Sequence, residues 1–320
     1  MWEIAGKSVL VTGGGGTIGS HVVDALLAEG AALVRVYDNL STGSLANLEE
    51  AARTGRLEIV RGDLRDREDL DHAMQGMDYV FHQASVLLLE GVTRPLKSLE
   101  VNILGTYFVL EAAVRHGIKK LVAASSASVF GDPQYLPVDE AHPFNNVTLY
   151  GATKVACEQL YANFHHYHGL PYVALRYYNV YGPRQGRHGA YTQVIPRWFD
   201  QMEAGQPLSI FGEGAQSMDL IYVRDIAQAN LLGLKSDVVA DCFNIGSGVE
   251  TTVKELAGRI LALTGYDRGV VHVPHDVNLV RRRRCSTAKA ERLLGFVSAT
   301  SVDEGLSAYS EWRKRNRDSR

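Results

Sequence analysis

The chain is poor in cysteine and has no long apolar run. Its 320 residues include three cysteines, Cys157, Cys242 and Cys285, and no Cys-x-x-Cys pair. Three scattered cysteines exclude a complete disulfide framework and a four-cysteine zinc site, and they favour a reducing compartment. No stretch approaches the ~18 apolar residues of a membrane span, and residues 1–7 lack the apolar core of a signal peptide. We therefore predict a cytoplasmic protein with no metal site.

Charge of either sign is not in excess. The 33 Lys and Arg residues against 36 Asp and Glu residues leave a formal net charge of −3. This balance predicts neither nucleic acid nor a membrane surface as a partner. The hydrophobic fraction of 46% excludes wholesale disorder. The length predicts one large domain, or a large domain with a smaller one.

The first forty residues predict a βαβ unit. Residues 8–12 form a short apolar run that ends at a glycine cluster, residues 13–16. Apolar residues then recur at helical spacing from Ile18 to Leu27, and a second strand-like run covers residues 33–37. Strand, glycine turn, helix and strand in this order indicate two parallel strands joined by a helix.

The same alternation continues to residue 177 and predicts a Rossmann-like, doubly wound parallel α/β sheet. The predicted strands are 57–60, 79–81, 120–124 and 172–175, and the predicted helices are 66–74, 95–116 and 149–168. Beyond residue 177 we expect a loop at 181–189, helices at 194–204, 253–263 and 289–294, and a strand at 242–245 that returns to the main sheet.

The regular alternation of strands and helices ends after residue 177, and this change predicts two domains. We predict a NAD-binding domain of residues 1–180 with about 220–250, and a smaller C-terminal substrate-binding domain of residues 181–219 and 251–312. Residues 313–320 form a charged tail, which we expect to be solvated at its frayed end.

Glycines and an acidic residue indicate a dinucleotide site. Gly13, Gly16 and Gly19 lie between a strand and a helix, where backbone without Cβ lets a pyrophosphate approach the amides. Asp38 ends the second strand, where a carboxylate would accept hydrogen bonds from ribose hydroxyls and repel a 2′-phosphate. NAD is therefore favoured over NADP. A glycine turn without a ligand remains an alternative, and Asp63 is either an adenine contact or a turn residue.

Tyr150 and Lys154 lie four residues apart on a predicted helix, hence on one face. A nearby ammonium favours a phenolate, which could take a proton from a sugar hydroxyl. Ser126 follows the fifth strand, where its hydroxyl would face the ligand crevice. The non-catalytic alternatives are that Tyr150 and Lys154 only belong to an amphipathic helix face and that Ser126 only caps a turn.

Ten motifs, in order along the chain, resemble the extended short-chain dehydrogenases/reductases of the NAD-dependent epimerase/dehydratase family, near its UDP-glucose (UDP-galactose) 4-epimerases. They are TGGGGTIG at 12–19, DNLSTG at 38–43, GDL at 62–64, NILGT at 102–106, SSASVFG at 125–131, YGATK at 150–154, NVYGP at 179–183, FGEG at 211–214, VRDI at 223–226 and KAERLLG at 289–295.

The resemblance implies roles for matching positions. Tyr150 would be the catalytic base, Lys154 would hold the nicotinamide ribose, and Ser126 would bind the sugar 4-hydroxyl. Both Tyr150 and Lys154 would also contact NAD. The other implied cofactor residues are Gly13, Gly16, Thr17, Ile18, Gly19, Asp38, Asn39, Ser41, Thr42, Gly43, Asp63, Leu64, Gln83, Ala84, Ser85, Asn102, Tyr177 and Val180. The other implied substrate residues are Ser85, Ala127, Ser128, Asn179, Arg184, Thr192, Val194, Arg282 and Arg284. For Asn102, packing of its helix is nearly as good an interpretation.

The implied activity is nucleotide-sugar 4-epimerisation, with a UDP-hexose as substrate, tightly bound NAD, oxidation at C4 and return of hydride to the other face. The related dehydratases and decarboxylases carry acidic residues where this chain has Ala127 and Ser128, so an epimerase is preferred. Alternatives are a 4-epimerase of UDP-glucuronate or N-acetylhexosamines, another NAD-dependent sugar oxidoreductase, and a non-catalytic NAD(H)-sensing or RNA-binding protein. The resemblance also implies a homodimer through the helices at 95–116 and 149–168.

One position departs from the family pattern. Met218 stands where the family has an arginine that grips the substrate diphosphate. The four arginines at 281–284 are candidates to replace that charge, with alternation favouring Arg282 and Arg284 over Arg281 and Arg283. A solvated basic run is the alternative, and Arg184 and Arg187 are lesser candidates.

Overall fold

The computed structural model describes residues 2–185, 193–274 and 281–316. The strands are β1 Ser8–Thr12, β2 Leu33–Asp38, β3 Leu57–Arg61, β4 Tyr79–His82, β5 Lys120–Ser126, β6 Tyr172–Tyr177, β7 Asn179–Tyr181, β8 Leu208–Phe211, β9 Ser217–Tyr222, β10 Ala240–Ile245, β11 Glu250–Thr252 and β12 Val270–Val273. The helices are α1 Thr17–Ala28, α2 Glu49–Ala52, α3 Arg67–Met74, α4 Leu88–Thr93, α5 Pro95–Leu99, α6 Gly105–Arg115, α7 Leu149–His168, α8 Val194–Glu203, α9 Val223–Lys235, α10 Val253–Thr264, α11 Ala288–Leu294 and α12 Val302–Arg315.

Seven parallel strands form the main sheet in the order β10-β6-β5-β4-β1-β2-β3. Its central strands β1, β4, β5 and β6 are almost wholly buried, as expected for a parallel sheet with helices on both faces, whereas the edge strand β3 is partly exposed. The Rossmann-like doubly wound fold is therefore confirmed. The strand predicted at 242–245 is also confirmed, since β10 pairs in parallel with β6.

The long helix predicted at 95–116 contains a π-helical turn at Glu100–Leu104 between α5 and α6. The carbonyl of Asn102 within it accepts hydrogen bonds from Thr106 Oγ1 at 2.5 Å and Cys157 Sγ at 3.0 Å. These side-chain donors engage a carbonyl inside the widened turn. Helical spacing alone carries no sign of them.

A separate apolar core lies in the C-terminal part, where α8, α10 and α12 pack with β8 and β9 around the fully buried Trp198. Two smaller sheets, β11-β9-β7 and β12-β8, belong to this part. Strand β9, helix α9 and helix α12 went unpredicted, because their apolar stretches are short and interrupted by charged residues. No helix within the described ranges is both long and apolar enough to cross a membrane.

The predicted charged tail needs a correction at its first residues. Arg313 lies inside α12 with its side chain only 3% exposed, and it pairs with Asp200 and Glu203 of α8 at 2.7 and 2.6 Å. Two carboxylates on a neighbouring helix draw this arginine into the fold. Residues 317–320 lie outside the described residues.

Candidate active site

The crevice lies where the strand order reverses. Strands β1 and β4 are neighbours, and the chain leaves them in opposite directions across the sheet. Their carboxyl ends carry the glycine turn at 13–16 and the segment from Gln83 to Ser85, joined by a hydrogen bond from the Gln83 amide to the Thr12 carbonyl. This is the position at which open α/β sheets bind ligands.

The glycine turn forms a tight cradle. Gly13 has a φ of +69°, and a Cβ on Gly19 would lie 2.1 Å from the Gly13 carbonyl oxygen. Helix α1 begins at Thr17, so its first amides, including those of Thr17 and Ile18, have no partner within the helix. A close backbone approach at a helix N-terminus fits a pyrophosphate. The residues present therefore fit NAD.

Asp38 is buried at the edge of this cradle. Its two carboxylate oxygens accept hydrogen bonds from the amides of Gly15 and Leu40, at 2.8 and 2.7 Å. Each oxygen keeps a second lone pair for a ribose hydroxyl. The loop that carries Ser41, Thr42 and Gly43 closes against the turn, since a Gly43 Cβ would lie 2.7 Å from the Gly15 carbonyl carbon.

The Asp63 carboxylate is hydrogen-bonded by neighbouring side chains. Its carboxylate accepts hydrogen bonds from Asn39 Nδ2 at 2.9 Å and from Arg65, whose hydrogen bonds hold the pKa of Asp63 well below its usual range. Asn39 in turn accepts a hydrogen bond from the Ser41 amide. Leu64 is buried. The Asp63 side chain thus orders the loop after β2, and its turn-residue interpretation has direct structural support.

Gln83 and Tyr177 come together with Asn230 of α9, which the sequence analysis missed. The side-chain Nε2 of Gln83 donates to Asn230 Oδ1 at 2.9 Å, and Asn230 Nδ2 donates to Tyr177 Oη at 2.8 Å. These contacts attach α9 to the carboxyl ends of β4 and β6. Val180 and Ile18 pack against both the main-sheet core and the C-terminal core.

Asn102 pins the loop that follows β4. Its Oδ1 accepts from the Val86 amide at 2.7 Å and from Ser85 Oγ at 3.3 Å, while its Nδ2 donates to the Val86 carbonyl and to Thr153. The side chain is buried and its amide is engaged within the protein. The packing interpretation therefore has geometric support, and Asn102 acts on Ser85 rather than toward open space.

Tyr150 and Lys154 stand in the first two turns of α7. Thr148 caps this helix by accepting from the Gly151 amide at 3.1 Å. Lys154 is buried, donates to the Ala124 carbonyl at 2.9 Å, and places its Nζ 5.7 Å from the centre of the Tyr150 ring. The predicted helical face is confirmed.

The start of α7 presses against the turn that follows β5. A Cβ on Gly151 would lie 2.5 Å from the Ser128 carbonyl oxygen, so only glycine permits this approach. Ser126 begins that turn, and its Oγ accepts from the Ser128 amide and donates to Ser128 Oγ, both at 3.1 Å. Ala127 and Ser128 are buried within it. The structure thus brings the Tyr150 turn and the Ser126 turn together.

A buried ion pair lies behind these turns, and the sequence analysis missed it. Glu158 and Arg176 form two hydrogen bonds at 2.9 and 2.7 Å, and Ser125 Oγ donates to Glu158 at 2.5 Å. Glu158 is one helical turn beyond Lys154, and Arg176 is a charge inside an apolar strand. Both positions were readable as anomalies in the sequence.

The predicted substrate residues are spread more widely. Asn179 opens β7, with an Oδ1 that is buried and has no partner in the described chain. Arg184 pairs with Asp24 of α1 at 2.7 Å, and its carbonyl accepts from Thr17 Oγ1. Val194 begins α8. Thr192 and Arg187 lie outside the described residues.

The four arginines divide by environment. Arg282 is exposed and pairs with Glu250 at 2.7 Å, while Arg284 is exposed and donates to the Gly248 carbonyl. Arg283 is only partly exposed and lines a small cavity beside Ala127 and Tyr178. Arg282 and Arg284 are thus engaged by the chain itself, and their contact with the substrate stays a prediction. The run is extended and its register is set by Asp219, which accepts from the Cys285 amide.

Met218 is half-buried on β9 and packs against the C-terminal core. Its neighbour Asp219 is fully buried and holds the turn after β10, accepting from Ser247 and Gly248. No group of three His, Cys, Asp or Glu side chains that could hold a metal occurs in the described part of the chain.

Comparisons with known proteins agree with this geometry. Residues 9–246 match the NAD dependent epimerase/dehydratase family. A UDP-glucose 4-epimerase of Mycolicibacterium smegmatis is 34% identical over 308 residues, covering 95% of this chain and 97% of the relative.

Two solved structures are similar over nearly their whole length. A UDP-N-acetylglucosamine 4-epimerase from Methanobrevibacter ruminantium M1, in complex with UDP-N-acetylmuramic acid, has a TM-score of 0.90 and 33% identity, covering 98% of this chain and 99% of that one. A UDP-glucose 4-epimerase of Thermus thermophilus in complex with NAD has a TM-score of 0.87 and 32% identity, covering 96% and 99%. This chain therefore belongs to the NAD-dependent epimerase/dehydratase family.

Proposed function

We propose that the protein is a nucleotide-sugar 4-epimerase that acts on a UDP-hexose with NAD as a bound cofactor. The observation that carries the proposal is the contact between the first turn of α7, which presents Tyr150, and the turn that presents Ser126. Both lie beside the carboxyl ends of the strands next to the glycine cradle. Relatives named as UDP-glucose 4-epimerases over nearly the whole chain support it.

The residues of the chain divide the work as follows. The cradle of Gly13, Gly16 and Gly19 would hold the NAD pyrophosphate, and Asp38 would hold the adenosine ribose. NAD, when bound, supplies reversible hydride acceptance at C4 of the sugar. Tyr150 Oη takes the proton of the 4-hydroxyl and gives it back when the sugar has turned its other face.

Lys154 and Ser126 assist this proton transfer. Lys154 is held by the Ala124 carbonyl close to the Tyr150 ring, where a positive charge favours the phenolate. Ser126 is oriented by the Ser128 amide and would hydrogen-bond the 4-hydroxyl. Ala127 and Ser128 offer no carboxyl group to eliminate water, which favours epimerisation over dehydration.

The test combines a substrate panel with one substitution. The purified protein is incubated with UDP-glucose, UDP-N-acetylglucosamine and UDP-glucuronate, and C4 configuration is followed by NMR. Tyr150→Phe should lower turnover by at least ~10²-fold while bound NAD is retained. The matched control is Tyr266→Phe, which removes a hydroxyl that donates to the Gln206 carbonyl between α8 and β8. Epimerisation by Tyr150→Phe at the parent rate would reject the proposal.

The same proposal extends to domains, assembly and location. We propose that the main-sheet part, residues 1–180 with about 220–250, binds NAD, and that 181–219 with 251–312 binds the sugar nucleotide. We also propose a homodimer through the face formed by α5, the π-helical turn, α6 and α7, which exposes Leu96, Leu104, Tyr107 and Tyr167. The molar mass in solution is measured by light scattering. A monomer at micromolar protein concentration would reject the dimer. The cytoplasmic location stays a prediction, based on cysteine usage.

A further inference from the structure

A buried histidine connects the cofactor side of the crevice to the helices behind it. His82 ends β4, is 3% exposed, and is paired in register with Thr12 at the end of β1. Its Nδ1 lies 2.7 Å from Thr12 Oγ1, and its Nε2 lies 2.9 Å from Thr106 Oγ1 in the first turn of α6. The imidazole ring thus bridges β1 and α6.

The hydrogen on each ring nitrogen is fixed by the groups beyond it. Thr106 Oγ1 lies 2.5 Å from the Asn102 carbonyl oxygen, and because a carbonyl only accepts, the Thr106 proton lies between these two oxygens. A hydroxyl has one proton, so Thr106 can only accept from His82, and Nε2 carries a hydrogen. The neutral ring then has a bare Nδ1, which accepts from the Thr12 hydroxyl.

The ring is neutral for a geometric reason. A charged imidazole would carry a second hydrogen on Nδ1 and donate it to Thr12 Oγ1, which already accepts from the Ala84 amide at 3.3 Å. The Thr12 hydroxyl proton would then lose His82 as its acceptor. Burial and the charge of Lys154 act in the same direction, since they lower the pKa of His82 to about 3. The contacts therefore select the Nε2–H tautomer.

The cofactor end of this hydrogen-bonded chain lies in the glycine cradle. Thr12 directly precedes Gly13, which packs closely against the next segment, since a Cβ on Gly13 would lie 2.6 Å from the Ala84 nitrogen. The Thr12 hydroxyl accepts from that same Ala84 amide. The Thr12 side chain, oriented by His82 Nδ1, therefore fixes the spacing between the cradle and the segment from Gln83 to Ser85.

The other end reaches α7, the helix that presents Tyr150. The Asn102 carbonyl, which takes the Thr106 proton, also accepts from Cys157 Sγ at 3.0 Å. Asn102 Nδ2 donates to Thr153 Oγ1 at 3.1 Å, and Thr153 Oγ1 donates to the Tyr150 carbonyl at 2.8 Å. The π-helical turn is thus attached to two buried residues of α7, one on each side of the position after Thr153.

We propose that His82, as a neutral Nε2–H imidazole, is a positioning residue of the active site: its Nδ1 orients the NAD cradle, and its Nε2 orients the π-helical turn and, through it, the helix of Tyr150. The inference rests on the proposed function. Hydride and proton leave one sugar carbon for two acceptors, so the rate depends on the distance between the cofactor and Tyr150. Because the two ends of the ring act on different parts of the site, substitution can separate them.

The first measurement is the tautomer of His82 in the parent, read from the ring nitrogen signals of the nitrogen-15-labelled holoenzyme at neutral pH. His82 is assigned by through-bond correlation, so no variant is needed. His142 is the internal contrast, because its Nε2 accepts from the Gln134 amide and its Nδ1 faces the Pro143 carbonyl. We expect opposite tautomers for these two buried histidines. An Nδ1–H tautomer or an imidazolium at His82 would overturn the inference.

Two substitutions then separate the ends of the ring. His82→Gln keeps an amide N–H near the position of Nε2 but loses the acceptor for Thr12. We expect NAD to leave this loaded variant at least about fivefold faster than the parent, because a buried hydroxyl beside the cradle is left unpaired, with kcat at saturating NAD within about twofold. Released NAD is converted to fluorescent NADH by a coupling dehydrogenase.

His82→Asn keeps an oxygen near the position of Nδ1 but loses the donor to Thr106. We expect parent-like NAD release, an unchanged KM for the nucleotide sugar and a kcat lowered by at least about fivefold, because the π-helical turn behind α7 is no longer held by the ring. His72→Asn removes an exposed imidazole on α3 and is the control, which should match the parent in both measurements.

The division of effects between the two variants decides the inference. Equal effects on NAD release and kcat, a reversed division, or parent-like behaviour of both variants would mean that the ring only supports the fold. Tautomer and NAD release are measured without sugar turnover. The expected tautomer and NAD release in a parent that epimerises no nucleotide sugar would reject the proposed function alone, whereas an Nδ1–H tautomer at His82 in an active epimerase would reject the positioning role alone.

Discussion

The cofactor side and the substrate side of the crevice differ in how far their own polar groups are paired. On the cofactor side, Asp38 and Asp63 accept hydrogen bonds from the chain itself. On the substrate side, Tyr178 Oη and Asn179 Oδ1 are buried without partners in the described residues. The cofactor cradle is thus organised by the chain's own hydrogen bonds, whereas the substrate side keeps buried polar atoms that the described residues do not pair.

The largest expected effect lies at the junction of the two sides. Glu158→Ala should lower the free energy of unfolding by about 3–5 kcal/mol, because it leaves Arg176 buried without its carboxylate. Urea unfolding measures this loss. The double variant Glu158→Leu with Arg176→Met should recover much of it, since no charge is then stranded. An unchanged urea midpoint in Glu158→Ala would mean that the ion pair of Glu158 with Arg176 does not stabilise the fold.

The second largest effect is expected from acid, which should lower the free energy of unfolding through two buried histidines beside the cofactor cradle. Burial, with the charge of Lys154, lowers the pKa of His82 to about 3, and burial with Arg184 lowers the pKa of His21 to about 4. The unfolded chain binds these protons near pH 6.5, so it holds more protons than the native state between about pH 4 and 6.5. Stability therefore falls as pH drops through that window, by roughly 2–3 kcal/mol per histidine at pH 4.5.

The measurement is urea unfolding at pH 7.0 and 4.5. His82→Gln should lose about half of the acid sensitivity. His166→Gln, which removes an exposed imidazole on α7, is the control and should keep the parent's response. Equal stability of the parent at the two pH values would contradict the assignment of neutral buried histidines.

Asp38→Ala should weaken NAD by on the order of 1.5–3 kcal/mol and reduce discrimination against NADP, because the ribose acceptor and the repelling charge are lost together. Fluorescence titration with both cofactors measures this. Asp38→Asn is the informative partner, since one amide oxygen can still accept from Gly15 or Leu40 while the charge is gone. Unchanged affinity for both cofactors would leave Asp38 as a residue that only orders the loop.

The smallest effect is expected on the outer surface of the substrate side. Arg282→Ala should change substrate affinity by less than about twofold, because an exposed ion pair with Glu250 contributes little. Calorimetry with UDP-glucose is sufficient. A clear loss of affinity would instead support the prediction that Arg282 contacts the substrate.

Prediction from sequence succeeded where one local pattern was enough. Helix α7 has the bounds expected from its spacing, and the glycine turn, Asp38 and the Tyr150–Lys154 face lie at one crevice. It failed for β9, α9 and α12, whose apolar faces are completed only by distant elements. The pairing of Glu158 with Arg176 was also missed, because a charge in a strand gives no indication of its partner.

The sequence by itself determined the parallel sheet, the order of its first elements and the position of the cofactor turn, since these depend on periodicity and on glycine within short segments. Only the tertiary structure decided the environment of each arginine of the run at 281–284. Glu250 and Asp219, more than 30 residues away, hold the Arg282 side chain and the Cys285 amide, and Arg283 between them is only partly exposed. A local pattern carries no record of such distant bonds, so alternation alone could not give these environments.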